Sequence, residues 1–320
     1  MSSSTATARS HPNIALIKYW GKRDTKLNLP AVPSLSLTLS QFHTTTSVTW
    51  GSNKDLFCLN NIEQSNTQSA KVFQFLDLLT PNRPPCTVVS ENNFPTAAGL
   101  ASSASAFSAL AMAASVAADL QLSTTALSVL ARQGSGSASR SLWEGWVEWK
   151  MGKKLDGTDS HGIPIAPRDH WDVRMVMAVI SSQQKPISSR AAMLQTQSTS
   201  PMYDAWCNTA QTDVDIAKKA IMEKNLERLG RQMEHSTLKM FSTMFTTQPS
   251  VRYWKPQTLA VVEAVEQLRN AGIPCWYTMD AGPNVKILCH AKDAKQIASA
   301  IRPIVENHYI LEPGHGTHLL

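Results

Sequence analysis

The chain has 320 residues, more than one ordinary hydrophobic core of about 100 to 150 residues holds, so its length predicts two packed lobes. Hydrophobic residues make up 42% and charged residues 17%, below the roughly 25% charged residues of typical soluble domains, and this balance excludes a disordered chain. Thirty Lys and Arg against 24 Asp and Glu leave a net charge of +6, which favours anionic partners: nucleic acid, an anionic membrane surface or a small phosphorylated substrate.

Hydropathy patterns predict both strands and helices along the chain. The predicted strands are 13–19, 34–39, 44–50, 87–90, 173–180, 275–279 and 285–289. The predicted helices are 102–120, 124–132, 202–223, 226–244 and 256–270. The last helix has Pro256 in its first turn and stops before Gly272. Because strands cluster early and long helices late, the pattern predicts an α+β chain and not a doubly wound parallel sheet.

The polar, proline-containing stretch 152–172 is the best candidate for a loop between the lobes. It predicts an N-terminal lobe of residues 1–168 and a C-terminal lobe of residues 169–320. The last residues include His315 and His318 at H-x-x-H spacing, and we expect a flexible terminus there and not a metal site.

Cysteine usage and the apolar pattern bear on the location of the protein. The five cysteines are odd in number, scattered and without a CxxC pair, so we expect reduced thiols. No apolar segment follows the Ser/Thr-rich start, and no later apolar run reaches the roughly 18 residues of a membrane span. The sequence therefore predicts a cytoplasmic protein with no membrane partner.

The first chemical motif is an apolar strand that ends in three cations, two aromatic residues and a glycine. Its last residues are Lys18, Tyr19, Trp20, Gly21, Lys22 and Arg23. Such a strand end can hold ammonium groups over a diphosphate while aromatic rings shield the site. A solvated strand end with snorkelling lysines and a nucleic-acid patch are the alternatives. Basic residues are spread thinly elsewhere, which argues against nucleic acid.

The second motif is a run of small residues from Pro95 to Ala106 that leads into a predicted helix. Small side chains let a polyphosphate approach the backbone amides, and the positive end of the helix dipole then faces the phosphate oxygens. The hydroxyls of Ser102 and Ser103 could add hydrogen bonds or help hold Mg²⁺. The run is neither a Walker A loop nor GxGxxG, and a small-residue helix packed on a sheet explains it about equally well.

The third motif, 134–141, has the composition of a flexible linker but lies between apolar segments, so we expect it inside a folded lobe. Its serines and Arg140 fit an anion site, since Arg suits bidentate recognition of carboxylate or phosphate. Trp143, Trp146 and Trp149 follow at three-residue spacing, which could place them along one side of a helix, and core packing is favoured over a ligand role.

The fourth motif, 277–285, is a strand, a tight turn and a second strand. Asp280 begins the turn, together with Gly, Pro and Asn residues that are ordinary in turns. A structural aspartate is the default interpretation. The functional interpretation is a carboxylate that orients a substrate hydroxyl or accepts its proton.

Taken together, the four segments resemble the diphosphomevalonate decarboxylases of the GHMP kinase superfamily. The matching stretches are Asn-Ile-Ala-x-Ile-Lys-Tyr-Trp-Gly-Lys-Arg, Asn-Asn-Phe-Pro-Thr-Ala-Ala-Gly-Leu-Ala-Ser-Ser-Ala, Arg-x-Gly-Ser-Gly-Ser-Ala-x-Arg-Ser and Met-Asp-Ala-Gly-Pro-Asn, in the family's order over 13–288. The resemblance implies ATP-dependent decarboxylation of (R)-5-diphosphomevalonate to isopentenyl diphosphate in the mevalonate route of isoprenoid biosynthesis, with Mg²⁺ as the accompanying ion.

The resemblance also implies roles for individual residues. Asp280 corresponds to the catalytic carboxylate beside the 3-hydroxyl, Arg140 to the residue that grips the C1 carboxylate, and Lys18 to the lysine near the reacting centre. The substrate-binding candidates are Tyr19, Lys22, Ser135, Ser137 and Ser189. The ATP-binding candidates are Pro95, Gly99, Leu100, Ala101, Ser102 and Ser103. Ser103 is also the candidate for contact with the Mg²⁺ that ATP carries.

The implied fold has an N-terminal lobe like domain 2 of ribosomal protein S5, a ferredoxin-like C-terminal lobe and a cleft between them. The implied partner is the small-molecule substrate and not nucleic acid, and a homodimer is expected. Two sister activities stay open, a 5-phosphomevalonate decarboxylase and a mevalonate 3-kinase. A non-catalytic module that binds nucleic acid or a phospho-ligand is the alternative of another class.

Overall fold

The computed structural model describes residues 4–94, 102–183 and 185–320. Within these ranges the strands are β1 (Ser4–Ser10), β2 (Asn13–Ile17), β3 (Lys22–Asp24), β4 (Leu29–Pro30), β5 (Ser34–Thr38), β6 (Thr44–Trp50), β7 (Leu56–Leu59), β8 (Ile62–Glu63), β9 (Cys86–Asn92), β10 (Trp146–Trp149), β11 (Gly162–Ala166), β12 (Val173–Val179), β13 (Cys275–Met279), β14 (Val285–His290), β15 (Asn307–Leu311) and β16 (His318–Leu319). The α-helices are α1 (Asn66–Leu79), α2 (Ser102–Ala117), α3 (Thr124–Gly134), α4 (Ala138–Ser141), α5 (Ser189–Thr199), α6 (Tyr203–Met222), α7 (Leu226–Phe245), α8 (Pro256–Asn270) and α9 (Ala294–Ile301). A 3₁₀ turn spans Ala291–Asp293.

The strands form three larger sheets and one short hairpin. Their orders are β16-β1-β6-β9-β7-β8, β11-β10-β5-β2, β13-β14-β12-β15 and β3-β4. Among the described strand pairs, β7 and β9 alone run parallel, and the others are antiparallel. The α+β prediction is therefore confirmed, and the doubly wound alternative, which needs a mostly parallel sheet, is excluded.

Three hydrophobic clusters fill the spaces between the sheets and the helices. One lies between the six-stranded sheet and α1, α2 and α3. A second packs α5 to α9 against one face of β12, β13 and β14. The third is shared by β2, β5 and β10 from the first half and β12, β14 and β15 from the second, with α6 and α7. Because this third core is common to both halves, it fixes the end of β2 relative to the turn after β13.

The tryptophan spacing allows a helix around 143–149, but Trp146 and Trp149 belong to strand β10. This strand pairs with β5 on one side and β11 on the other. Side chains three positions apart in a strand point to opposite faces. Trp146 therefore joins the shared core, whereas Trp149 packs against Tyr19 with 4.7 Å between the ring centroids. Local spacing alone could not distinguish this arrangement from a helix.

The predicted loop 152–172 contains a strand, β11, which forms the edge of its sheet. An edge strand tolerates Pro164 because one side of it makes no ladder hydrogen bonds. The proline and polar residues that suggested a loop are therefore compatible with a short strand.

The prediction of a flexible terminus is wrong. His318 and Leu319 form β16, which pairs with β1. The hydroxyl of Thr317 donates to the Ser141 carbonyl at 2.8 Å and hydrogen-bonds Ser10 Oγ at 2.8 Å. The end of the chain thus packs on the first strand and on the α4 turn. Of the helices that the structure describes, none has the length and apolar character that a bilayer crossing needs.

Candidate active site

A cleft of about 530 Å³ lies between the two halves of the chain. The end of β2, α1, the start of α2 and the α3–α4 turn line it from the first half. The segment before α5, the helices α5 and α7 and the turn after β13 line it from the second half. All four sequence motifs therefore meet here, in the part of the chain that the structure describes.

Asp280 lies at the centre of an ion-pair cluster at the base of the cleft. Its Oδ1 is 2.9 Å from Lys18 Nζ and its Oδ2 is 3.1 Å from Lys286 Nζ. The two lysine side chains are buried, with 1% and 2% of their surface exposed, whereas 33% of the aspartate side chain is exposed. The carboxylate is thus held from behind by two ammonium groups and open in front to the cleft.

The surroundings shift the pKa values of both partners. Burial lowers the pKa of Lys18 to about 8, although Asp280 opposes this shift. Burial alone would raise the pKa of Asp280, but Lys18 and Lys286 outweigh it and hold the pKa of this carboxyl well below its usual range. Asp280 is therefore ionised at neutral pH, which suits a group that accepts a hydrogen bond from a hydroxyl.

The backbone around this cluster is fixed by buried polar contacts. The Lys18 amide donates to Ser236 Oγ of α7 at 3.0 Å, and Lys18 Nζ donates to the Ala15 carbonyl at 2.7 Å. Asn284 Oδ1 accepts from the amides of Ile180 and Ser181 at 2.8 and 3.0 Å, so the turn after β13 is tied to the end of β12. These contacts restrict the movement of the backbone around residues 18 and 280.

Arg140 is buried beside the same cluster, with 2% of its surface exposed. Its Nε donates to Asn13 Oδ1 at 3.1 Å and one terminal nitrogen donates to Ser34 Oγ at 2.7 Å. The guanidinium also lies over Trp149, 5.7 Å from the ring centroid. Burial lowers the pKa of Arg140 to about 10, so the group remains a cation at neutral pH. A rigid, desolvated cation of this kind suits a carboxylate ligand.

A row of hydroxyls crosses the cleft from α2 to α4. Ser103 Oγ lies 3.1 Å from Ser135 Oγ, which lies 3.4 Å from Ser137 Oγ. Tyr19 adds a buried hydroxyl that has no hydrogen-bond partner among the described residues. Burial raises the pKa of Tyr19, so its hydroxyl keeps its proton and can donate it to an anion. These groups form a polar wall without a carboxylate.

Lys22, Lys71 and Arg190 form a second cationic group in the cleft lining. Burial, Arg190 and Lys71 lower the pKa of Lys22 to about 8. Lys71 and Arg190 are exposed. The protein atoms around Lys71 nevertheless desolvate it in part and, together with Arg190, lower its pKa. Within the described ranges none of the three cations pairs with a carboxylate. Three mutually repelling cations without counter-ions are typical of a site for a multiply charged anion.

The two neighbouring serines at the start of α5 have different roles in the structure. Ser188 is the N-cap, and its hydroxyl accepts from the Ala191 amide at 3.2 Å. Ser189 Oγ accepts instead from Lys185 Nζ at 3.1 Å. Both serines line the cleft, but the hydroxyl of Ser188 is engaged in the helix cap, whereas the hydroxyl of Ser189 has a cation beside it.

Ten of the residues predicted from the sequence line the cleft: Lys18, Tyr19, Lys22, Ser102, Ser103, Ser135, Ser137, Arg140, Ser189 and Asp280. Four predicted ATP contacts, Pro95, Gly99, Leu100 and Ala101, lie outside the described residues. Sequence reasoning missed Asn13, Lys71, Lys185, Arg190 and Lys286. Asn13 belongs to the first matched motif and Arg190 follows Ser189 directly, so both were within reach of the sequence; the lysines carry no local signal.

The oxygen donors of the cleft bear on metal binding. Within the described ranges no group of three or more His, Cys, Asp or Glu side chains could hold a metal ion. Among the residues that the structure describes, the hydroxyls of Ser102 and Ser103 are donors near the α2 terminus. Hydroxyls are weak ligands alone but complete the octahedral shell of a Mg²⁺ ion that phosphate oxygens already hold. The residues present therefore fit a nucleotide-borne Mg²⁺.

Two family models match the chain. The Diphosphomevalonate decarboxylase-like N-terminal domain matches residues 10–162, and the Mevalonate 5-diphosphate decarboxylase C-terminal domain matches residues 175–313. Among curated relatives, the diphosphomevalonate decarboxylase of Gibberella zeae is 38% identical, with 92% of this chain and 83% of the relative covered. That of Candida albicans is 34% identical, with 98% and 91% covered.

Solved structures agree with these matches. The mevalonate diphosphate decarboxylase of Staphylococcus aureus is 38% identical and superposes with a TM-score of 0.94 over 99% of this chain and 98% of its own. A structure described as MDDEF in complex with MVAPP, AMPPCP and magnesium is 39% identical, with a TM-score of 0.93 over 100% of this chain and 99% of its own. At these sequence identities the similarity indicates a common family and not only a common fold.

Proposed function

The chain belongs to the diphosphomevalonate decarboxylase family, and on that premise we propose that it catalyses the ATP-dependent decarboxylation of (R)-5-diphosphomevalonate to isopentenyl diphosphate, with release of ADP, phosphate and CO₂. The observation that carries the proposal is the arrangement of the cleft. One ionised carboxylate, Asp280, faces it between two ammonium groups, and Arg140 and a second group of cations lie beside it.

The first step is phosphorylation of the tertiary 3-hydroxyl, which would otherwise be a poor leaving group. Asp280 accepts a hydrogen bond from this hydroxyl and directs an oxygen lone pair at the γ-phosphorus of ATP. The new O–P bond forms as the bond to ADP breaks, and the hydroxyl proton, which becomes strongly acidic once its oxygen is phosphorylated, passes to Asp280 and from there to solvent. Because Asp280 has a lowered pKa, it is a weak base, so its main contribution is orientation of the nucleophile. Lys18 supplies positive charge beside the transferred group.

In the second step the C3–O bond breaks and phosphate leaves with the bonding electrons. The C1–C2 bond then breaks, its electrons form the C2=C3 double bond, and C1 departs as CO₂. Arg140 is proposed to hold the C1 carboxylate in its ionised form, because a guanidinium fixed by Asn13 and Ser34 offers its other donors in a rigid fork. An ionised carboxylate is the form that can leave as CO₂.

The diphosphate of the substrate is proposed to lie against the second group of cations, Lys22, Lys71 and Arg190. Tyr19, Ser135 and Ser137 would donate hydrogen bonds from the opposite wall, and Ser189 from the start of α5. The absence of carboxylate partners for these three cations within the described ranges supports this assignment, because an anionic ligand would supply the missing charge.

ATP is proposed to bind at the N-terminus of α2, where Ser102 and Ser103 line the cleft and the helix dipole favours phosphate. Pro95, Gly99, Leu100 and Ala101, which the sequence predicts to contact ATP, are also part of this proposal. Mg²⁺ bound to the phosphate oxygens would lower the charge that the γ-phosphoryl group presents to its nucleophile. Ser103 is the residue we assign to it.

The finer organisation is proposed as follows. The N-terminal lobe, 1–168, resembles domain 2 of ribosomal protein S5 and the C-terminal lobe, 169–320, is ferredoxin-like, as expected for the GHMP kinase superfamily. The five cysteines are free, which supports a reducing, cytoplasmic location. We propose a homodimer and a small-molecule partner, without nucleic acid.

The test is incubation of the chain with ATP, Mg²⁺ and, in separate reactions, mevalonate, 5-phosphomevalonate and 5-diphosphomevalonate, with CO₂ and ADP both measured. The proposal expects CO₂ from the diphosphate ester at a kcat/KM well above that of the other two. A preference for 5-phosphomevalonate would favour the sister decarboxylase, and ADP without CO₂ would favour a 3-kinase. No turnover with any ester, together with salt-sensitive DNA binding, would favour the binding module.

A further inference from the structure

Lys286 holds the second oxygen of Asp280, and neither the motifs nor the proposed mechanism gives it a role. Its Nζ lies 3.1 Å from Oδ2 and 3.4 Å from the Asn284 carbonyl. Lys18 reaches the other oxygen, Oδ1, from the opposite half of the chain at 2.9 Å. One carboxylate is therefore clamped at both oxygens by ammonium groups from two different sheets.

Lys286 occupies a position of β14 whose surroundings favour an apolar side chain. Val285 and Ile287 face one hydrophobic cluster, and Leu288, on the same strand face as Lys286, belongs to another. Burying an ammonium group costs several kcal/mol even after relaxation. The strand ladder needs only backbone groups, so strand formation does not require a lysine at 286. The cost points to a role for the charge itself.

The geometry supplies that role. A carboxylate bound at one oxygen can still rotate about its terminal torsion, which is broad for Asp. Two ammonium groups on two oxygens fix the plane of the carboxylate, and each oxygen keeps lone pairs for a further donor. About one third of the Asp280 side chain stays exposed to the cleft. The clamp thus leaves one approach open, which is the approach a substrate hydroxyl would use.

We propose that Lys286 is a positioning residue, which acts through Asp280 by fixing the plane of its carboxylate and keeping it ionised against the 3-hydroxyl. The kinetic part rests on the proposed function; the effect on Asp280 itself does not. The charged groups that face Asp280 are Lys18 after β2, Lys286 on β14, Lys185 before α5 and Arg140 on α4. Of these, Lys18 and Lys286 are in contact with it.

The test compares Lys286→Met with Lys286→Arg and with a control, Lys239→Met, which removes a lysine that pairs with Asp213 away from the cluster. Methionine suits the apolar face, and Lys18 still pairs with Asp280, so the variant should fold. Two quantities are measured: the pH dependence of kcat and KM, and the titration of the Asp280 carboxyl by ¹³C NMR, assigned with Asp280→Asn.

For Lys286→Met we expect kcat to fall about ten- to one-hundred-fold, with KM for the diphosphate ester little changed. The acid limb of kcat and the Asp280 titration should both move to higher pH, because one stabilising cation is lost. Lys286→Arg should recover part of kcat, and Lys239→Met should leave all of these unchanged.

An unchanged kcat, or a loss of kcat with the Asp280 titration unmoved, would overturn the positioning role. A loss that Lys239→Met shares would also overturn it, since the cause would then be general destabilisation. If the wild-type chain releases no CO₂, the proposed function fails, whereas the NMR titration still decides whether Lys286 governs Asp280.

Discussion

Asn13 and Arg140 are joined by a buried hydrogen bond, 3.1 Å from Arg140 Nε to Asn13 Oδ1. The Asn13 amide nitrogen donates to the Ser137 carbonyl at 2.9 Å and to Ser141 Oγ at 2.8 Å. A single side chain from the first motif therefore orients the guanidinium and anchors the third motif around it. Thr317 extends the same network to the end of the chain by donating to the Ser141 carbonyl.

Because of this network, we expect the Arg140→Lys variant to lose most of the activity of the wild-type enzyme. An ammonium group cannot keep the bonds to Asn13 and Ser34 and still present a planar fork to the C1 carboxylate. We expect kcat/KM to fall on the order of a hundredfold, the scale seen when one positioned donor is lost from a reacting centre. Steady-state kinetics of the variant measure this. The matched control is Arg168→Lys, an exposed arginine with a long contact to Glu144, which should behave like the wild type. Equal rates for all three proteins would contradict the carboxylate role.

The lowered pKa values of two lysines predict an alkaline limb in the rate. Burial brings Lys18 and Lys22 to a pKa of about 8, so both lose their charge as the pH rises through that value. In the free enzyme this loss weakens substrate capture, and kcat/KM should fall above about pH 8.

Bound anions change this limb in the complex. A diphosphate beside Lys22 raises its pKa, so the limb in kcat should lie at higher pH than the limb in kcat/KM. Full pH profiles of both parameters test the point. A kcat/KM that stays flat to pH 10 (about two units above the expected limb) would show that neither ammonium group is needed.

Lys71 predicts a binding effect without a large chemical effect. The Lys71→Met variant should raise KM for the diphosphate ester about tenfold, equivalent to about 1.4 kcal/mol, while kcat changes little. The effect should be smaller with a monophosphate ester, which brings less charge to the three cations. Lys219→Met, a change at an exposed position of α6, is the control. If the two variants have the same KM, Lys71 is not part of the diphosphate site.

A group of histidines at the docked terminus predicts a pH dependence of stability. The His11 ring centroid lies 6.0 Å from that of His43 and 6.3 Å from those of His315 and His318. His11 Nδ1 donates to the Phe42 carbonyl at 2.8 Å. Burial, reinforced by the three other histidines, lowers the pKa of His11 from 6.5 to about 4. The folded chain therefore resists protonation there.

The direction of the pH dependence of stability follows from the lowered pKa of His11. The unfolded chain binds the proton first, so stability is complete above pH 6.5 and is lost as the pH falls toward about 4. The pKa shift corresponds to a loss of about 3 kcal/mol at most in the free energy of unfolding. Urea unfolding from pH 7 to 4 should give a clear slope in wild type and a smaller one in His11→Gln, which lacks the titrating ring. Parallel slopes in the two proteins would rule out His11 as the source.

Much of the cleft could be predicted because its residues lie within contiguous motifs. Lys18 and Tyr19 directly follow a strand. Asp280 begins a turn, which the Gly and Pro residues after it indicate. The order of four such motifs along the chain is enough to indicate the family. Element ends of this kind are where side chains can reach a cleft, so local pattern and site coincide.

The missed lysines have no local signal. Lys71 is one polar residue on the helix α1, and Lys286 is one lysine in an apolar strand. The role of each can be inferred only from the residues that lie next to it in the fold. The spacing of the tryptophans fits a helical face as well as a strand, whereas pairing with β5 and β11 gives β10 its extended backbone. The pairing of β16 with β1 joins the two ends of the chain, a separation that no sequence window covers.

The central claim is that Asp280 directs phosphorylation of the 3-hydroxyl and that CO₂ loss follows. The most direct measurement is the release of ADP, phosphate and CO₂ from 5-diphosphomevalonate by wild type and Asp280→Ala, with substrate affinity measured in parallel by calorimetry. We predict equal amounts of all three products from wild type. The variant should release none of them and should bind the ester with near-normal affinity. CO₂ release by Asp280→Ala near the wild-type rate, or ADP without CO₂ from wild type, would contradict the account.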